Sequence, residues 1–576
     1  MNINTRIFEN DLSSPAFLDD AGTCMTYGQL HAVVSSISGQ LNANGCYRGD
    51  RIALTVPRGP LGLIGFLSIS SFAICCPLDP KMRAEDILES IDRLSLTSFV
   101  DFTGDPRIEA VAAKSGIRCL RPAPDVTLDN SDPGGAPPSA SSAGDVALLL
   151  QTSGTTSKPK LVALTHGNLA AAAGAICATY NIGSEDVCLN PMPHYHVHGL
   201  ISAGLCSLVA GASQFCASSF SAPAFQAVFE RLCPTWFTGS PAFHLGLLDH
   251  FKFAGVKPQN RRLRFIRSSS APFPASMIGP FEELFGAPLL ENYGMTETAS
   301  TICSNPPPPR KRKSGSVGLP LGSKIRLVTP DRQSPATGDP GEILLKGPSV
   351  IEHYGSTGSD NENFLDGWLR TGDIGRFDED GYLYVLGRTK ELIKRGGHSV
   401  YPLEVDNALV AYPDIAEAIC FAVQHPTLGE ELVAIAVPRP GSRISMSELR
   451  DSLELKLSTY KIPSAIYVVP KIPKNDTGKA VRRDMARHFD WLHAPKAEPC
   501  VSPTEQALVQ IWRDVIGRSD LGATDNVFVF GADTLRAQRA CDVLTSQGGG
   551  KLDLRMILKH PTVREQATAI INGRSA

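Results

Sequence analysis

DVALLLQTSGTTSKPK (residues 145–160) is the stretch of this 576-residue chain that says most about its fold. The apolar run predicts a buried strand, and LTHGNLAAAAGAICATY (164–180) predicts a helix with Thr165 as its N-cap. Five of the six residues 152–157 carry hydroxyls, Gly154 lies among them, and Lys158 and Lys160 follow. A loop between a strand and a helix can bind phosphate oxygens through N–H and hydroxyl donors. It lacks the Walker A spacing, and a Ser/Thr-rich surface loop is the alternative.

Length and composition bound the remaining possibilities. At about 100–200 residues per domain, the chain should hold three or four domains. Hydrophobic residues make up 42% and charged residues 20%, which excludes a largely disordered chain. Because 55 basic residues balance 58 acidic ones at a net charge of −3, nothing favours binding to nucleic acid or anionic membrane.

Cysteines and chain ends predict a reducing, cytoplasmic location. The 14 cysteines include no CxxC pair or zinc spacing, so we expect reduced thiols. MNINTRIFENDLSS does not resemble a signal peptide, and NGRSA is not a peroxisomal address. The uncharged stretch 59–78 contains prolines, and we interpret it as a buried helix entering a strand rather than a membrane span.

Changes in residue pattern and composition along the chain predict its domains. Residues 1–128 alternate helices and short strands, as expected for a parallel sheet covered by helices, and 129–144 form a linker or surface loop. FDEDGYLYV predicts a hairpin turning at Asp380–Gly381, and Ser502 with Glu505 predicts a capping box. PPPPRKRKSG (306–315) is interpreted as a solvated loop, with a nuclear address or anion patch as alternatives. The predicted domains are an N-terminal core (1–387), a small domain (388–490), a linker (491–501) and a helical domain (502–576).

Three further segments carry polar groups suited to nucleotide chemistry. ENYGMTE (291–297) combines an aromatic ring, a hydroxyl and a carboxylate. WLRTGD (368–373), followed by GRTK (387–390), supplies a carboxylate and a guanidinium. IPKNDTGK (472–479) places a lysine after a glycine turn.

These four segments, in this order, closely resemble the motifs of the acyl-adenylate-forming superfamily over about residues 15–490. That superfamily contains acyl-CoA synthetases, firefly luciferases and adenylation domains of nonribosomal peptide synthetases. PMPHYHVHGL (191–200), TWFTGSPAFH (235–244) and LRFIRSSSAPFP (263–274) most resemble the oxalyl-CoA synthetase and peroxisomal-CoA-synthetase-like branch. The resemblance implies an α/β fold: a large domain of mixed sheets and helices, a small mobile α/β domain and an all-α carrier-like domain.

The resemblance also implies roles for individual residues. Thr296 would contact the α-phosphate and Glu297 would hold Mg²⁺. Asp373 would accept hydrogen bonds from the ribose with support from Arg388, and Lys479 would contact the α-phosphate and the attacking carboxylate. Residues expected around the β- and γ-phosphates are Thr152, Ser153, Gly154, Thr155, Thr156 and Lys160. Residues expected around adenine are Tyr293 with its neighbours Asn292 and Gly294, and Ser270, Ala271 and Pro272 on the opposite side.

Other implied roles concern acyl transfer. Lys390 would be the hinge about which the small domain rotates, and Gly396 and Gly397 would line the pantetheine tunnel. His196 would be a gate beside the acyl pocket, flanked by His194 and His198. Leu161 replaces the usual glycine, and Ser300 stands near a position where oxalyl-CoA synthetases have a histidine, which argues against oxalate itself. His244, Thr298, Ser300 and 268–270 suggest a small, partly polar pocket.

The last 77 residues resemble a carrier-protein domain through DNVFVFGADTLRAQ (525–538). Thr534 replaces the serine that takes phosphopantetheine, and Ala532 replaces a glycine. Because the β-methyl of threonine restricts its rotamers and crowds attack, we expect a carrier that no longer holds the arm. The alternative is a docking module that never held one.

The sequence as a whole predicts an ATP- and Mg²⁺-dependent acid–thiol ligase that acts on a carboxylic acid, with CoA as acceptor, in fungal-type secondary metabolism. One alternative is an adenylation protein that loads a small or polycarboxylic acid onto a separate carrier protein. A non-catalytic scaffold and a luciferase-like oxidase are further alternatives. The sequence does not specify the acid or the oligomeric state.

Overall fold

The computed structural model describes residues 2–19, 24–56, 59–123, 141–152, 160–217, 221–355, 361–425, 427–474, 480–489, 498–548 and 552–574. Contacts divide the chain into two compact units. The first unit comprises residues 1–371 and 375–385, and the second comprises 372–374 and 386–576. The candidate residues Ser153, Gly154, Thr155, Thr156 and Lys479 lie outside the described residues.

Over the described residues the strands, in chain order, are β1 (Pro15–Leu18), β2 (Cys24–Thr26), β3 (Arg51–Thr55), β4 (Ile74–Leu78), β5 (Ser98–Asp101), β6 (Arg118–Leu120), β7 (Val146–Gln151), β8 (Leu161–Thr165), β9 (Val187–Asn190), β10 (Ser213–Cys216), β11 (Trp236–Gly239), β12 (Phe265–Ser268), β13 (Leu289–Met295), β14 (Ser300–Ser304), β15 (Leu319–Pro320), β16 (Lys324–Val328), β17 (Gly341–Lys346), β18 (Phe364–Leu365), β19 (Trp368–Phe377), β20 (Leu383–Arg388), β21 (Ile393–Arg395), β22 (His398–Val400), β23 (Ile415–His425), β24 (Gly429–Pro438) and β25 (Ala465–Val468).

The α-helices of the same residues are α1 (Ile3–Phe8), α2 (Tyr27–Ala43), α3 (Leu61–Ser70), α4 (Ala84–Leu94), α5 (Pro106–Lys114), α6 (His166–Tyr180), α7 (Cys206–Val209), α8 (Ala222–Leu232), α9 (Pro241–Ala254), α10 (Ala275–Phe285), α11 (Pro402–Val410), α12 (Met446–Glu454), α13 (Met485–His488), α14 (Pro503–Ile516), α15 (Thr534–Ser546), α16 (Leu554–Lys559) and α17 (Val563–Arg574). A π-helix spans His198–Leu205, and short 3₁₀ turns include Thr296–Thr298 and Thr389–Glu391.

Two large sheets form most of the first unit. The first sheet has the order β6-β5-β3-β4-β7-β8 and is parallel except for β8. The second has the order β15-β14-β13-β12-β11-β9-β10-β1-β2 and is parallel from β13 to β1. One buried cluster joins residues of α2, α3, α6 and the π-helix to both sheets, which is the layered packing expected when apolar helix faces cover parallel strands. A smaller sheet has the order β16-β17-β19-β18, with β20 paired to β19.

The second unit contains an α/β layer and a helical segment. Its sheet has the order β22-β21-β24-β23, with β25 parallel to β24, and α11 and α12 cover the sheet. Helices α14 to α17 enclose a separate core around the buried Trp512, whose Nε1–H donates to Gln566 Oε1 at 2.8 Å. The predicted fold class, a mixed α/β core with a small α/β domain and a helical C-terminal domain, is confirmed.

Local predictions around the hydroxyl-rich loop (residues 152–160) need one correction. Thr165 caps α6 as predicted, because its hydroxyl accepts from the Asn168 N–H. However, the loop does not lead directly into this helix. Strand β8 begins at Leu161 and pairs antiparallel with β7, so the loop joins two strands. Residues 161–165 alternate half-buried and buried side chains, a period-2 signal too short to separate from the following helix by sequence pattern.

Two other segments match their simplest interpretation. The uncharged stretch forms α3 followed by β4. Among the described residues, no helix combines the length and the apolar character that crossing a bilayer requires. In residues 306–315, three of the four cations form ion pairs, namely Lys311 with Asp380, Arg312 with Glu282 and Lys313 with Asp378 and Asp380. This pairing favours the solvated loop over an anion patch.

Glu291 in β13 gives the first unit a testable pH dependence. Its buried carboxyl group accepts from the Gly315 N–H at 3.1 Å, and burial raises its pKa to about 8. Because the folded state binds this proton more tightly than the unfolded state, the stabilisation is complete below the unfolded pKa and is lost as pH rises through about 8. Glu291→Gln should therefore unfold with a midpoint that depends less on pH between about pH 5 and about pH 8.5.

Urea unfolding midpoints across that range measure the effect, with Glu283→Gln, at an exposed neighbouring glutamate, as the matched control. Parallel pH curves for the parent chain and Glu291→Gln would contradict the assignment.

Candidate active site

Thr296 and Glu297 lie at a sharp turn between β13 and β14. The two strands are antiparallel, with a register shift at Gly294. A Cβ atom on Gly294 would lie 1.6 Å from the carbonyl oxygen of Ser300, so only glycine permits this approach of the two backbones. The hairpin therefore fixes the position of Glu297, whose side chain is buried.

Tyr354 connects Glu297 to Lys160. Its hydroxyl donates to Glu297 Oε1 at 2.8 Å, and Lys160 Nζ lies 4.5 Å from the centre of its ring. Lys160 Nζ also donates to Asn363 Oδ1 at 2.5 Å. A cation held over an aromatic face and a carboxylate held by a phenol keep two opposite charges near each other without a direct ion pair.

The backbone of residues 351–355 supports this arrangement. The Ile351 N–H donates to the Glu297 carbonyl at 2.9 Å, and the Gly355 N–H donates to the Leu161 carbonyl at 2.9 Å. This strap, residues 351–355, therefore joins the start of β8 in one large sheet to the β13–β14 turn of the other. At the mouth of the hydroxyl-rich loop, the Thr152 N–H donates to the Lys160 carbonyl at 2.9 Å and closes the loop.

A second group of polar side chains lies where parallel strands end, at the edge of the sheet where ligands commonly bind. His198, the first residue of the π-helix, is buried between β11 and the loop after β12. Its Nε2 lies 2.7 Å from Thr238 Oγ1, and its Nδ1 lies 3.0 Å from Ser270 Oγ. Ser270 is exposed and has a φ of +76°, an unfavourable backbone conformation for serine.

The other predicted residues of the first unit lie around this edge. Asn292 donates from Nδ2 to the Ser268 carbonyl at 2.8 Å, which ties β13 to the end of β12, just before the loop of residues 269–272. Tyr293 is half-buried against the main core. Ala271 and Pro272 are exposed. His196, the predicted gate, is exposed beside Tyr195, whereas His194 and His198 are buried.

Sequence reasoning missed Arg267, the most deeply buried cation near this edge. Its Nη2 donates to Ser202 Oγ and Thr301 Oγ1, both at 2.9 Å, and its guanidinium lies 4.7 Å from the Tyr180 ring centre. Within the described part of the chain, its buried Nε has no hydrogen-bond partner. An arginine in an apolar strand, RFIRS, was the only available signal.

His244 does not join the group around His198. It packs against Phe237, Phe273 and Phe281, and burial lowers its pKa to about 4. Phe237 and Thr238 are consecutive residues of β11, so their side chains point to opposite faces of the sheet. His244 therefore lies on the face opposite His198, in an apolar cluster, and sequence spacing alone did not reveal the difference.

The predicted residues of the second unit fall into two places. Arg388 Nε lies 3.1 Å from Oδ1 of the buried Asp373. Lys390 is exposed in a 3₁₀ turn two residues later. Gly396 and Gly397, with φ of +54° and +86°, form the two-residue turn between β21 and β22. Next to this turn, Arg395 Nε pairs with the buried Glu431 at 2.7 Å.

The side chains of this site suit a hard cation such as Mg²⁺ only if the phosphate groups of a ligand supply further oxygen atoms. The described residues contain no group of three or more His, Cys, Asp or Glu side chains that could hold a metal ion by themselves. Glu297 supplies one carboxylate, and Mg²⁺ is commonly held by one or two carboxylates together with substrate phosphates.

Comparison with known proteins places this geometry in a family. Residues 8–355 match the model of the AMP-binding enzymes, 404–479 match the AMP-binding enzyme C-terminal domain, and 506–570 match the phosphopantetheine attachment site. The chain is 35% identical to the oxalate–CoA ligase of Arabidopsis thaliana over 81% of its own length and 93% of the relative. It is 34% identical to the sulfoacetate–CoA ligase of Cupriavidus necator, with the same coverage.

Solved structures agree with the sequence relatives. An ATP-bound crystal structure of MatB from Rhodopseudomonas palustris covers 85% of this chain and 99% of its own, with 30% identity and a TM-score of 0.75. The predicted resemblance to the adenylate-forming superfamily is thereby confirmed. The chain belongs to the AMP-binding enzyme family and is an acid–thiol ligase of the AMP-forming acyl-CoA synthetase type.

Proposed function

We propose that this enzyme activates a carboxylic acid with ATP and transfers the acyl group to CoA. In the first half-reaction, a carboxylate oxygen attacks the α-phosphorus, and pyrophosphate leaves. In the second, the CoA thiolate attacks the carbonyl carbon of the acyl-AMP, a thioester forms, and AMP leaves with the former carboxylate oxygen. The observation that supports the proposal is the contact of Tyr354 with both Lys160 and Glu297, since binding of a metal-bound polyphosphate requires a cation and a carboxylate close together.

Residues of the first unit serve ATP in this proposal. Lys160 and the hydroxyl-rich loop, including Ser153, Gly154, Thr155 and Thr156, bind the β- and γ-phosphates, and Thr296 binds the α-phosphate. Glu297 holds Mg²⁺, which when bound offsets the negative charge of the phosphates. The buried position of Glu297 and its hydrogen bond from Tyr354 support this role, because they restrict the carboxylate to one orientation.

Adenine and the acid occupy the edge formed by strands β11 to β13. Tyr293 stacks on adenine from one side, and residues 270–272 lie on the other, with Asn292 and Gly294 shaping the backbone between them. His198 positions Ser270 through their hydrogen bond. Arg267 holds the π-helix against β12 and β14 through Ser202 and Thr301.

The proposed acid is small and polar. The hydroxyl groups of Thr238 and Ser270 around His198, with Arg267 in the adjoining core, suit a short substrate with a second polar or anionic group. Relatives named for oxalate and sulfoacetate support a small acid of this kind. The exposed His196 acts as the gate to this pocket.

The second unit contributes the remaining groups. Asp373, held by Arg388, accepts hydrogen bonds from the ribose hydroxyls. Lys479 stabilises the charge that develops between the carboxylate and the α-phosphate. Lys390 serves as the hinge, and the turn of Gly396 and Gly397 leaves room for pantetheine. A reducing, cytoplasmic location, predicted from the cysteine pattern, and a place in fungal-type secondary metabolism, predicted from the carrier-like segment, accompany this proposal.

A panel of small carboxylic acids tests the function. We expect ATP–pyrophosphate exchange that depends on one class of acid, and formation of AMP and a thioester when CoA is added. Exchange with no CoA-dependent product would support the alternative, in which a separate carrier protein accepts the acyl group. The absence of exchange with every acid, in a chain that binds ATP, would contradict the proposal.

Lys479 is the most direct test of the adenylation step. Lys479→Ala should bind ATP normally but lose acid-dependent pyrophosphate exchange by at least about a hundredfold, because a charge-assisted contact made in the transition state is removed. Lys474→Ala is the matched control from the same segment, since Lys474 pairs with Glu417 at 2.7 Å. Normal exchange by Lys479→Ala would exclude this role.

Tyr354 separates the positioning of Glu297 from the packing of Lys160. Tyr354→Phe keeps the ring beneath Lys160 and removes the hydrogen bond to Glu297. We expect kcat to fall by about tenfold or more, with a higher Mg²⁺ requirement, since a hydrogen bond to a charged group contributes about 1.5–3 kcal/mol. Titration of Mg²⁺ at saturating ATP measures both effects, and an unchanged Mg²⁺ dependence would disprove the positioning role.

A further inference from the structure

The carrier-like segment (residues 498–574) contacts the small domain (residues 388–490) within the second unit. At one end of the contact, the buried ring of His425 lies with Nε2 3.3 Å from the Ala532 carbonyl. Thr427 donates from Oγ1 to Asp533 Oδ2 at 2.8 Å, and Arg536 donates to both Thr427 and Asp533. The end of β23 and the start of α15 thus share a polar network.

A buried arginine forms the other end of the contact. Arg450 in α12 donates to the Leu558 carbonyl in the carrier-like segment at 3.1 Å and to the Ser464 carbonyl in the small domain at 3.0 Å. Asn526 donates to the same Ser464 carbonyl at 2.9 Å. A buried guanidinium needs hydrogen-bond partners on every side, and here one of them belongs to the carrier-like segment.

Apolar packing fills the space between these two ends. Val529 of the carrier-like segment packs against the small-domain cluster that contains Val469, Ile472 and Met485. A cavity of about 30 Å³ lies between Arg450, Ile462, Phe528 and Leu558. This space is on the scale of a few water molecules. At the edge, Lys559 pairs with Asp451 at 2.5 Å.

We propose that the carrier-like segment is a docking module fixed to the small domain, and that the contacts of Ala532 and Asp533 restrict approach to the backbone where α15 begins. Residue 534, the position of the lost modification serine, is the first residue of that helix. The two residues before it, Ala532 and Asp533, are both held by the small domain. A modifying enzyme should therefore act faster on residue 534 once the segment has separated from His425 and Thr427.

Two separate effects would then act against an arm at residue 534. The β-methyl of the threonine would slow its reaction, and docking would restrict the approach of the modifying enzyme. A carrier domain that moves between active sites has to leave its resting position in every catalytic cycle. A module held by the buried Arg450 and by apolar packing moves together with the small domain instead.

Hydrogen exchange in the full-length chain tests the docking directly. Thr427→Glu places a carboxylate beside Asp533, and because Thr427 is exposed the small-domain core is left intact. We expect amide exchange near residues 425–435 and 532–546 to accelerate at least about tenfold. Loss of a hydrogen bond to a charged group lowers the free energy of local opening by enough to produce a change of this size. Gln424→Glu, which adds the same charge on an exposed neighbour, should leave both peptides unchanged. Equal exchange in all three chains would overturn the proposal.

Modification by a broad-specificity phosphopantetheinyl transferase with CoA tests access. Thr534→Ser restores the serine, and the double variant Thr534→Ser/Thr427→Glu also opens the contact. Intact mass should show attachment at least about tenfold faster on the double variant than on Thr534→Ser alone, following the same loss of hydrogen bonding. Equal rates in the two variants, or no attachment in either, would contradict the claim that docking controls access to residue 534.

Discussion

The contact of Tyr354 with Lys160 and Glu297 is the constraint on which the rest of the site depends. Lys160 immediately precedes β8, at the edge of the six-stranded sheet, and Glu297 follows β13 in the nine-stranded sheet. The strap of residues 351–355 donates a backbone hydrogen bond to each side. A cation and a carboxylate from separate sheets are thereby kept in a fixed relation, which a loop on its own could not achieve, since flexible loops lose entropy when they are ordered. Preorganised charges of this kind are what phosphate chemistry needs.

The edge formed by β11, β12 and β13 adds recognition to this charge pair. Successive parallel strands end with polar residues, and the π-helix brings His198 and Ser202 across them. Such helices are rare and often occur at functional sites. Arg267 lies beneath, with its charge partly balanced by hydroxyl oxygens and by the faces of Tyr180 and Trp236 rather than by a carboxylate. This core cation fixes the π-helix to the sheet through Ser202 and Thr301.

Sequence patterns predicted the fold class because several motifs occur in a fixed order along the chain. A hydroxyl-rich loop, a Thr-Glu turn and two later glycine-containing turns rarely occur together in this order by chance. The same patterns could not predict the contacts of Lys160 with Tyr354 and Asn363, because these residues lie about two hundred positions further along the chain and are brought together only by the tertiary fold. The strand β8 was missed because its five residues merge with the helix that follows. His244 appeared suited to a polar pocket, but it lies in α9 and packs among phenylalanines on the face of β11 that carries Phe237. His196 precedes the π-helix and is exposed, whereas His198 is the first residue of that helix and is buried. The sequence carries no signal for a π-helix, so it could not separate these two histidines.

The central claim is that the acid reacts through a mixed anhydride with AMP, and isotope transfer measures this most directly. An accepted acid labelled with ¹⁸O in its carboxylate is incubated with the enzyme, ATP and CoA, and the products are analysed by mass. Formation of acyl-AMP requires one labelled oxygen to appear in AMP, because the thiol attacks the carbonyl carbon and the bridging oxygen stays on phosphorus. Label in inorganic phosphate, or AMP that carries none, would contradict the account.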